Sequence, residues 1–155
     1  MPNIRSGGML LAKLHQVSSR ILNQKIKKSK LQELNSGQGR ILFVLLKADN
    51  ISIQQLSQAT LLEKSTLTSM LARLEKQGYI KRVADKKDRR KILLRLTDKK
   101  KYLEISFRKI SQDMTKIFYA GFSEQDKNIF EEYLKKILKN LTTTEKKIKN
   151  NKVNK

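Results

Sequence analysis

The 155-residue chain has no cysteine, a single proline, a single histidine and six glycines. Without cysteine there is no thiol nucleophile, no cysteine-based redox sensing and no cysteine-ligated zinc. That fits a reducing cytosol, and a cytoplasmic location is expected. A lone His15 lacks the partners a metal site needs and reads as a solvated or hydrogen-bonded helix residue. Acidic residues are scarce, 14 against 35 lysines and arginines, for a net charge of +21. A chain this basic is expected to meet a polyanion, nucleic acid first and an anionic membrane surface second. The longest apolar run, Ile41 to Leu46, is far too short to span a bilayer. The opening MPNIRSGGMLL places no long apolar core behind a basic segment, so no signal peptide is expected. Few prolines and glycines predict a mainly helical chain. Paired carboxylates, a nucleophile beside a base, a phosphate-cradling glycine loop and a metal cluster are all missing, so no enzyme and no cofactor is expected.

What is present centres on residues 51 to 97. In KSTLTSMLARLEKQG, from Lys64 to Gly78, Leu67, Met70, Leu71 and Leu74 recur at helical spacing on one face. The opposite face carries Ser65, Ser69, Ala72 and Lys76, flanked by Thr66, Thr68 and Arg73. Short, hydroxylated and basic side chains let a helix approach base edges and phosphates in a major groove. An ordinary solvated helix face would look similar. Gly78 is expected at the C′ position. Just upstream, Ser52 and Gln55 form a capping box, with Ile51 and Leu56 as a hydrophobic staple. Two short helices joined by a tight turn make a helix-turn-helix. The period then shifts to two: Ile80–Ala84 and Ile92–Leu96 are predicted strands. The tip between them holds Asp85, Lys86, Lys87, Asp88, Arg89, Arg90 and Lys91, too charged to be buried. It is either a solvated turn or a wing that lays arginine into the negative minor groove. Asp88 is placed to orient a neighbouring guanidinium.

Around this centre, residues 1 to 8 look frayed. A first helix from Met9 to about Lys28 carries a seam of Leu10, Leu14, Val17 and Ile21. A short, buried helix is expected from Gly37 to Lys47. After Thr97-Asp98, a long helix repeats Leu103, Phe107, Ile110, Met114 and Ile117. Ala120-Gly121 breaks it. Ser123, with Asp126 in the box position, caps a last helix carrying Phe130, Leu134, Ile137 and Leu141. One head cannot bury all three seams, whereas a second copy of the chain could. Residues 142–155 are polar, basic and expected to be disordered.

LSQATLLEKSTLTSMLARLEKQGYIKR followed by DKKDRRKILLRLT resembles the MarR family of winged-helix transcriptional regulators. The Asp88-Arg89-Arg90 wing, the STLT opening of the helix and the LT closing the second strand carry the likeness. Lys100 departs from the family's usual glycine. The resemblance implies a mainly α fold with one small β-hairpin: an N-terminal dimerisation helix (1–34), a winged helix-turn-helix lobe (35–97), C-terminal dimerisation helices (98–141) and the tail (142–155). It implies a homodimer on a near-palindromic double-stranded operator. Base and backbone contacts map to Lys64, Ser65, Thr66, Thr68, Ser69 and Arg73, and wing contacts to Lys86, Lys87, Asp88, Arg89 and above all Arg90. It implies repression relieved by a small aromatic anion, for which His15 and Arg20 are the candidate contacts. The alternative is a constitutive, ligand-independent DNA-binding protein with chromatin-like behaviour. A basic helical protein coating membranes would need bulky apolar faces left exposed, and these seams look committed to protein packing.

Overall fold

The computed structural model describes residues 5–153. Its helices are α1 (Gly7–Lys27), α2 (Ser36–Lys47), α3 (Ile53–Thr60), α4 (Lys64–Lys76), α5 (Lys100–Phe118) and α6 (Glu124–Val153). Its strands are β1 (Ile51–Ser52), β2 (Ile80–Ala84) and β3 (Ile92–Leu96). The chain divides into two compact units, residues 1–114 and 115–155. Of the stretch expected to fray, residues 1–4 lie outside the described residues, while Gly7 and Gly8 already belong to α1.

The first unit is built around leucine and isoleucine. Leu67, Leu71 and Leu74 of α4 meet Ile41, Leu42 and Leu45 of α2, Leu56 of α3, and Leu94 and Leu96 of β3 in one core. Each such side chain contributes about 1.5–3 kcal/mol when removed from water. α2 starts where Asn35 and Gln38 cap each other: the Gln38 amide donates to Asn35 Oδ1 at 2.9 Å and the Asn35 amide to Gln38 Oε1 at 3.1 Å. The expected Ser52–Gln55 box starts α3, with the same reciprocal bonds at 2.8 and 3.1 Å. The predicted hairpin forms over the predicted residues, with Ile80 opposite Leu96 and Ala84 opposite Ile92. A two-residue strand was not foreseen: β1 pairs with β3, Ile51 opposite Leu94, giving a three-stranded antiparallel sheet ordered β1-β3-β2. Asp49 holds that edge by accepting from the Leu96 amide at 3.0 Å. Of the strand face predicted to be apolar, Leu94 and Leu96 are buried, but Ile92 lies out along the wing and is exposed.

Two expectations about the long helices need correction. The α5 repeat is not one continuous intersubunit seam. Leu103, Phe107 and Ile110 sit in the first unit's own core, and only Ile117 of the set is strongly exposed. Periodicity identifies a helix's apolar face but not what covers it. The stretch expected to be a disordered tail is helical throughout its described part, since α6 continues to Val153. It contains no proline or glycine and is rich in lysine, a good helix former. Glu145 and Lys149 pair at 3.0 Å across one turn.

In the second unit the chain turns at Gly121, whose φ of +81° suits glycine. Ser123 then caps α6 as expected, with Asp126 answering: the Asp126 amide donates to Ser123 Oγ and the Ser123 amide to Asp126 Oδ2. The Ser123 hydroxyl and amide hold the Asp126 carboxyl below its ordinary range. Phe118, Tyr119, Phe122 and Phe130 pack around the turn, mostly edge to face, with Phe118 tilted against Phe130. Several α6 side chains, among them Tyr133, Leu138 and Leu141, remain exposed.

Ile110 is only 6% exposed. Ile110→Asp is therefore expected to cost about 4 kcal/mol or more of fold stability by placing a charge in the core. Ile105→Asp, on the exposed side of the same helix, should stay within about 0.5 kcal/mol of the parent. Equal melting temperatures for both variants would remove Ile110 from the core.

Candidate nucleic-acid interface

α4 buries Leu67, Leu71 and Leu74 and thereby turns Lys64, Ser65, Thr66, Thr68, Ser69, Ala72, Arg73 and Lys76 outward. All eight are exposed, and Ala72, Arg73 and Lys76 carry the face toward the helix's end. Met70 closes the buried edge, with its methyl group close against Gly37 of α2. The helix ends in a Schellman motif. Gly78, at φ +71°, donates to the Glu75 carbonyl at 3.0 Å, and the Tyr79 amide to the Leu74 carbonyl at 2.9 Å. Thr97 donates its hydroxyl to the Gly78 carbonyl at 2.7 Å, joining the helix end to the end of β3. At the other end, the Glu63 side chain makes no capping bond to the helix.

The four hydroxyls of this face differ in their bonding. Thr68 Oγ1 donates to the Lys64 carbonyl at 2.8 Å, and Ser69 Oγ to the Thr66 carbonyl at 2.9 Å. Ser65 and Thr66 make no side-chain bond among the described contacts. The helix-turn-helix connection is tight because Leu61 adopts a left-handed φ of +54°. Ser57 donates its hydroxyl to the Leu62 carbonyl at 3.0 Å and Thr60 donates to the Leu56 carbonyl at 2.8 Å, holding that geometry.

The hairpin tip points outward, with Lys86, Lys87, Arg89, Arg90 and Lys91 solvated rather than folded into the core. Its two aspartates organise the turn. Asp85 Oδ1 accepts from the Lys87 amide at 2.8 Å and Asp88 Oδ1 from the Arg90 amide at 3.1 Å. The Lys91 ammonium lies 3.9 Å from Asp88. Asp88 was expected to orient a guanidinium; it holds the Arg90 backbone and the Lys91 side chain instead. Nearer the core, Arg82 Nε of β2 bonds Glu75 Oε2 of α4 at 3.2 Å, fastening the wing to the flank of the helix.

Sequence reasoning missed a polar tie behind α4. Tyr79 donates its hydroxyl to the Glu33 carboxylate. Buried Gln38 donates Nε2 to Gln77 Oε1 at 3.2 Å, and Gln77 Nε2 reaches the Glu33 carbonyl at 3.3 Å. Burial, then the Glu33 bond, raises the Tyr79 phenol well above its ordinary range. These partners lie 39 to 46 residues apart, so no local pattern could have signalled them.

His15 and Arg20 are both exposed on α1. Five residues apart, they sit about 140° apart around the helix axis and do not converge on one point. A groove of about 350 Å3 instead lies between α2 and α5, lined by Phe43, Leu46, Lys47, Phe107 and Arg108 among others. Lys47 Nζ stands 4.4 Å from the Phe43 ring centre. Among the described residues no cluster of histidine and carboxylate side chains could hold a metal. No described helix is long and apolar enough to cross a membrane.

Residues 34–92 match the MarR family. A curated relative, the HTH-type transcriptional regulator TtmR of Methylorubrum extorquens (strain PA1), is 36% identical over 67 residues, 43% of this chain. The chain spans about a third of that relative's length, 34%. Among solved structures, a mutant MarR from E. coli complexed with operator DNA superposes with a TM-score of 0.74 at 24% identity, covering 84% of this chain and 92% of that one. Bordetella bronchiseptica BpsR, whose DNA binding is described as regulated by 6-hydroxynicotinic acid, gives 0.76 at 24% identity over 88% and 97%. Likeness at this identity establishes the winged-helix fold.

The Tyr79–Glu33 tie gives alkaline stability a defined sign. Below about pH 10, the phenol's ordinary value, its contribution is complete. It is lost as pH rises from there through the higher folded-state value, because the unfolded chain ionises first. Tyr79→Phe should lower neutral-pH stability by about 1 kcal/mol and flatten the decline above pH 10 in denaturant titrations. An unchanged alkaline slope would detach Tyr79 from that decline.

Proposed function

With a MarR-family domain across residues 34–92 as its core, we propose that this chain is a sequence-specific double-stranded DNA-binding transcriptional regulator acting in the cytoplasm. It works as a homodimeric repressor relieved by a small aromatic anion. The observation that carries the reading is the coupling of two outward elements on one lobe. α4 presents a small, hydroxylated, basic face, and the Arg82–Glu75 pair fastens the basic wing to its flank. A helix of this kind fits a major groove and an arginine-tipped hairpin fits the neighbouring minor groove. Lys64, Ser65, Thr66, Thr68, Ser69 and Arg73 serve the first contact, and Lys86, Lys87, Arg89 and Arg90 the second. Asp88 shapes the wing tip rather than touching DNA.

Dimerisation is supported by the apolar side chains that water would otherwise meet: Met9, Leu10, Leu14 and Val17 on α1 and Tyr133, Leu138 and Leu141 on α6. A two-fold dimer presents two α4 helices to half-sites about one helical turn apart. The α2–α5 groove suits an aromatic carboxylate, with Phe43 and Phe107 for the ring and Lys47 and Arg108 for the charge. A ligand there biases the spacing of the two reading helices only in so far as it binds one arrangement better than the other.

Arg90→Ala should weaken operator binding by about 1–3 kcal/mol in fluorescence anisotropy while leaving the melting temperature in place. Unchanged affinity would take the wing out of the mechanism. The parent's affinity should fall steeply between low and moderate salt as condensed counterions return to the duplex. Equal affinity for operator and random duplexes at moderate salt would favour the constitutive, chromatin-like alternative. Leu14, 45% exposed on α1, tests the assembly. Leu14→Asp is expected to sediment as a monomer and to lose most operator affinity. A dimer that persists in the variant would move the subunit contact away from this helix.

A further inference from the structure

The hydroxyls of α4 divide into two chemical kinds, and we infer that this division sets which bases the helix selects. Thr68 and Ser69 present hydrogen-bond acceptors to the duplex and so favour the exocyclic amino groups of adenine and cytosine. Ser65 and Thr66 act as donors to phosphate oxygens. This inference rests on the DNA-reading role proposed above and adds its chemical direction.

A serine or threonine hydroxyl has one proton to give and two lone pairs to receive with. A carbonyl oxygen can only accept, so the 2.8 Å bond from Thr68 to the Lys64 carbonyl and the 2.9 Å bond from Ser69 to the Thr66 carbonyl consume both protons. What these exposed side chains turn toward a partner is lone pairs. In the major groove, adenine N6 and cytosine N4 are the donors, whereas guanine O6 and N7 and thymine O4 are acceptors. A hydroxyl already donating within the helix meets an amino group without losing a bond. To meet an acceptor it must first break its bond to the helix. Ser65 and Thr66, in the first turn, have no such prior commitment among the described contacts. Their protons are available to phosphate, where the positive end of the helix dipole also points.

The test combines variants of the protein with analogues of the duplex. Sites are first selected from a randomised duplex library with the parent chain. Selected duplexes are then rebuilt with purine in place of adenine, which deletes the N6 amino group, or with 7-deazaguanine in place of guanine, which deletes the N7 acceptor. Deleting the amino group at contacted positions should weaken parent binding roughly three- to tenfold, the range of one hydrogen bond. The effect should vanish in Thr68→Val only at the position that Thr68 reads, and in Ser69→Ala only at the position that Ser69 reads. Ser65→Ala and Thr66→Val should lose affinity about equally for all duplexes and keep the parent's base preference. Circular dichroism checks that each variant is folded, and Thr68→Val keeps the branched shape.

The inference is overturned if the 7-deazaguanine effect, and not the amino-group effect, disappears in the Thr68 and Ser69 variants. It is overturned equally if both variants retain the full preference for the amino-bearing base. A parent chain that binds selected and random duplexes alike would defeat it in a recognisably different way, by removing the operator-reading role itself.

Discussion

The burial of Leu67, Leu71 and Leu74 is the constraint from which the rest follows. These three side chains anchor α4 to α2, α3 and the sheet, and their spacing leaves the helix one possible rotation about its axis. That rotation decides that hydroxyls and cations, and not the leucines, face outward. The Schellman end at Gly78 and the Thr97 bond to its carbonyl then fix where the helix stops and where β2 begins. The wing's origin is thus set by the same residues that set the helix's face. A change in the core of this lobe would reach the outward surface as a rotation or a shift, because close-packed interiors transmit strain.

Polar ties behind α4 complete this rigidity. Glu33, Gln38, Gln77 and Tyr79 connect the end of α4 and the start of the hairpin to the segment leading into α2. Each bond is a net contribution of about 1 kcal/mol, smaller than the leucine terms. Their effect is directional: hydrophobic burial holds the helix in place, while hydrogen bonds specify its register. The wing has the complementary design, with Asp85 and Asp88 shaping its tip through backbone amides and leaving its cations solvated.

Much of this was legible in the sequence where the determinants are local. The Ser52–Gln55 and Ser123–Asp126 boxes span three residues each, the leucine spacing of α4 spans two turns, and the alternation in Ile80–Ala84 and Ile92–Leu96 spans five residues. Those elements formed as expected. The reading failed where the partner is distant or the signal weak. β1 is two residues long and exists only because β3 is beside it. The Tyr79–Glu33 tie joins residues 46 apart. The repeat on α5 marked its apolar face correctly, yet Leu103, Phe107 and Ile110 are covered by the chain itself. The composition of residues 142–155 suggested disorder because it offers little to bury, but helix propensity and i,i+4 pairing do not require burial. Hydroxyl bonding along α4 could not be read from residue types at all, since serine and threonine can donate or accept.

Leu61 carries a different kind of lesson. It occupies the left-handed region, at φ +54°, where a side chain ordinarily costs about 1–2 kcal/mol, and it is 59% exposed. The bonds of Ser57 and Thr60 hold the turn's shape, so the leucine side chain is incidental to it. Over evolutionary drift this position should therefore accept many residue identities with the two helices left undisturbed. Glycine is the substitution that would relieve the backbone, whereas a β-branched residue would aggravate it. A mostly exposed side chain beside the outward face of α4 is also a convenient attachment point for a spectroscopic label, provided the Leu61 amide keeps its bond to the Ser57 carbonyl.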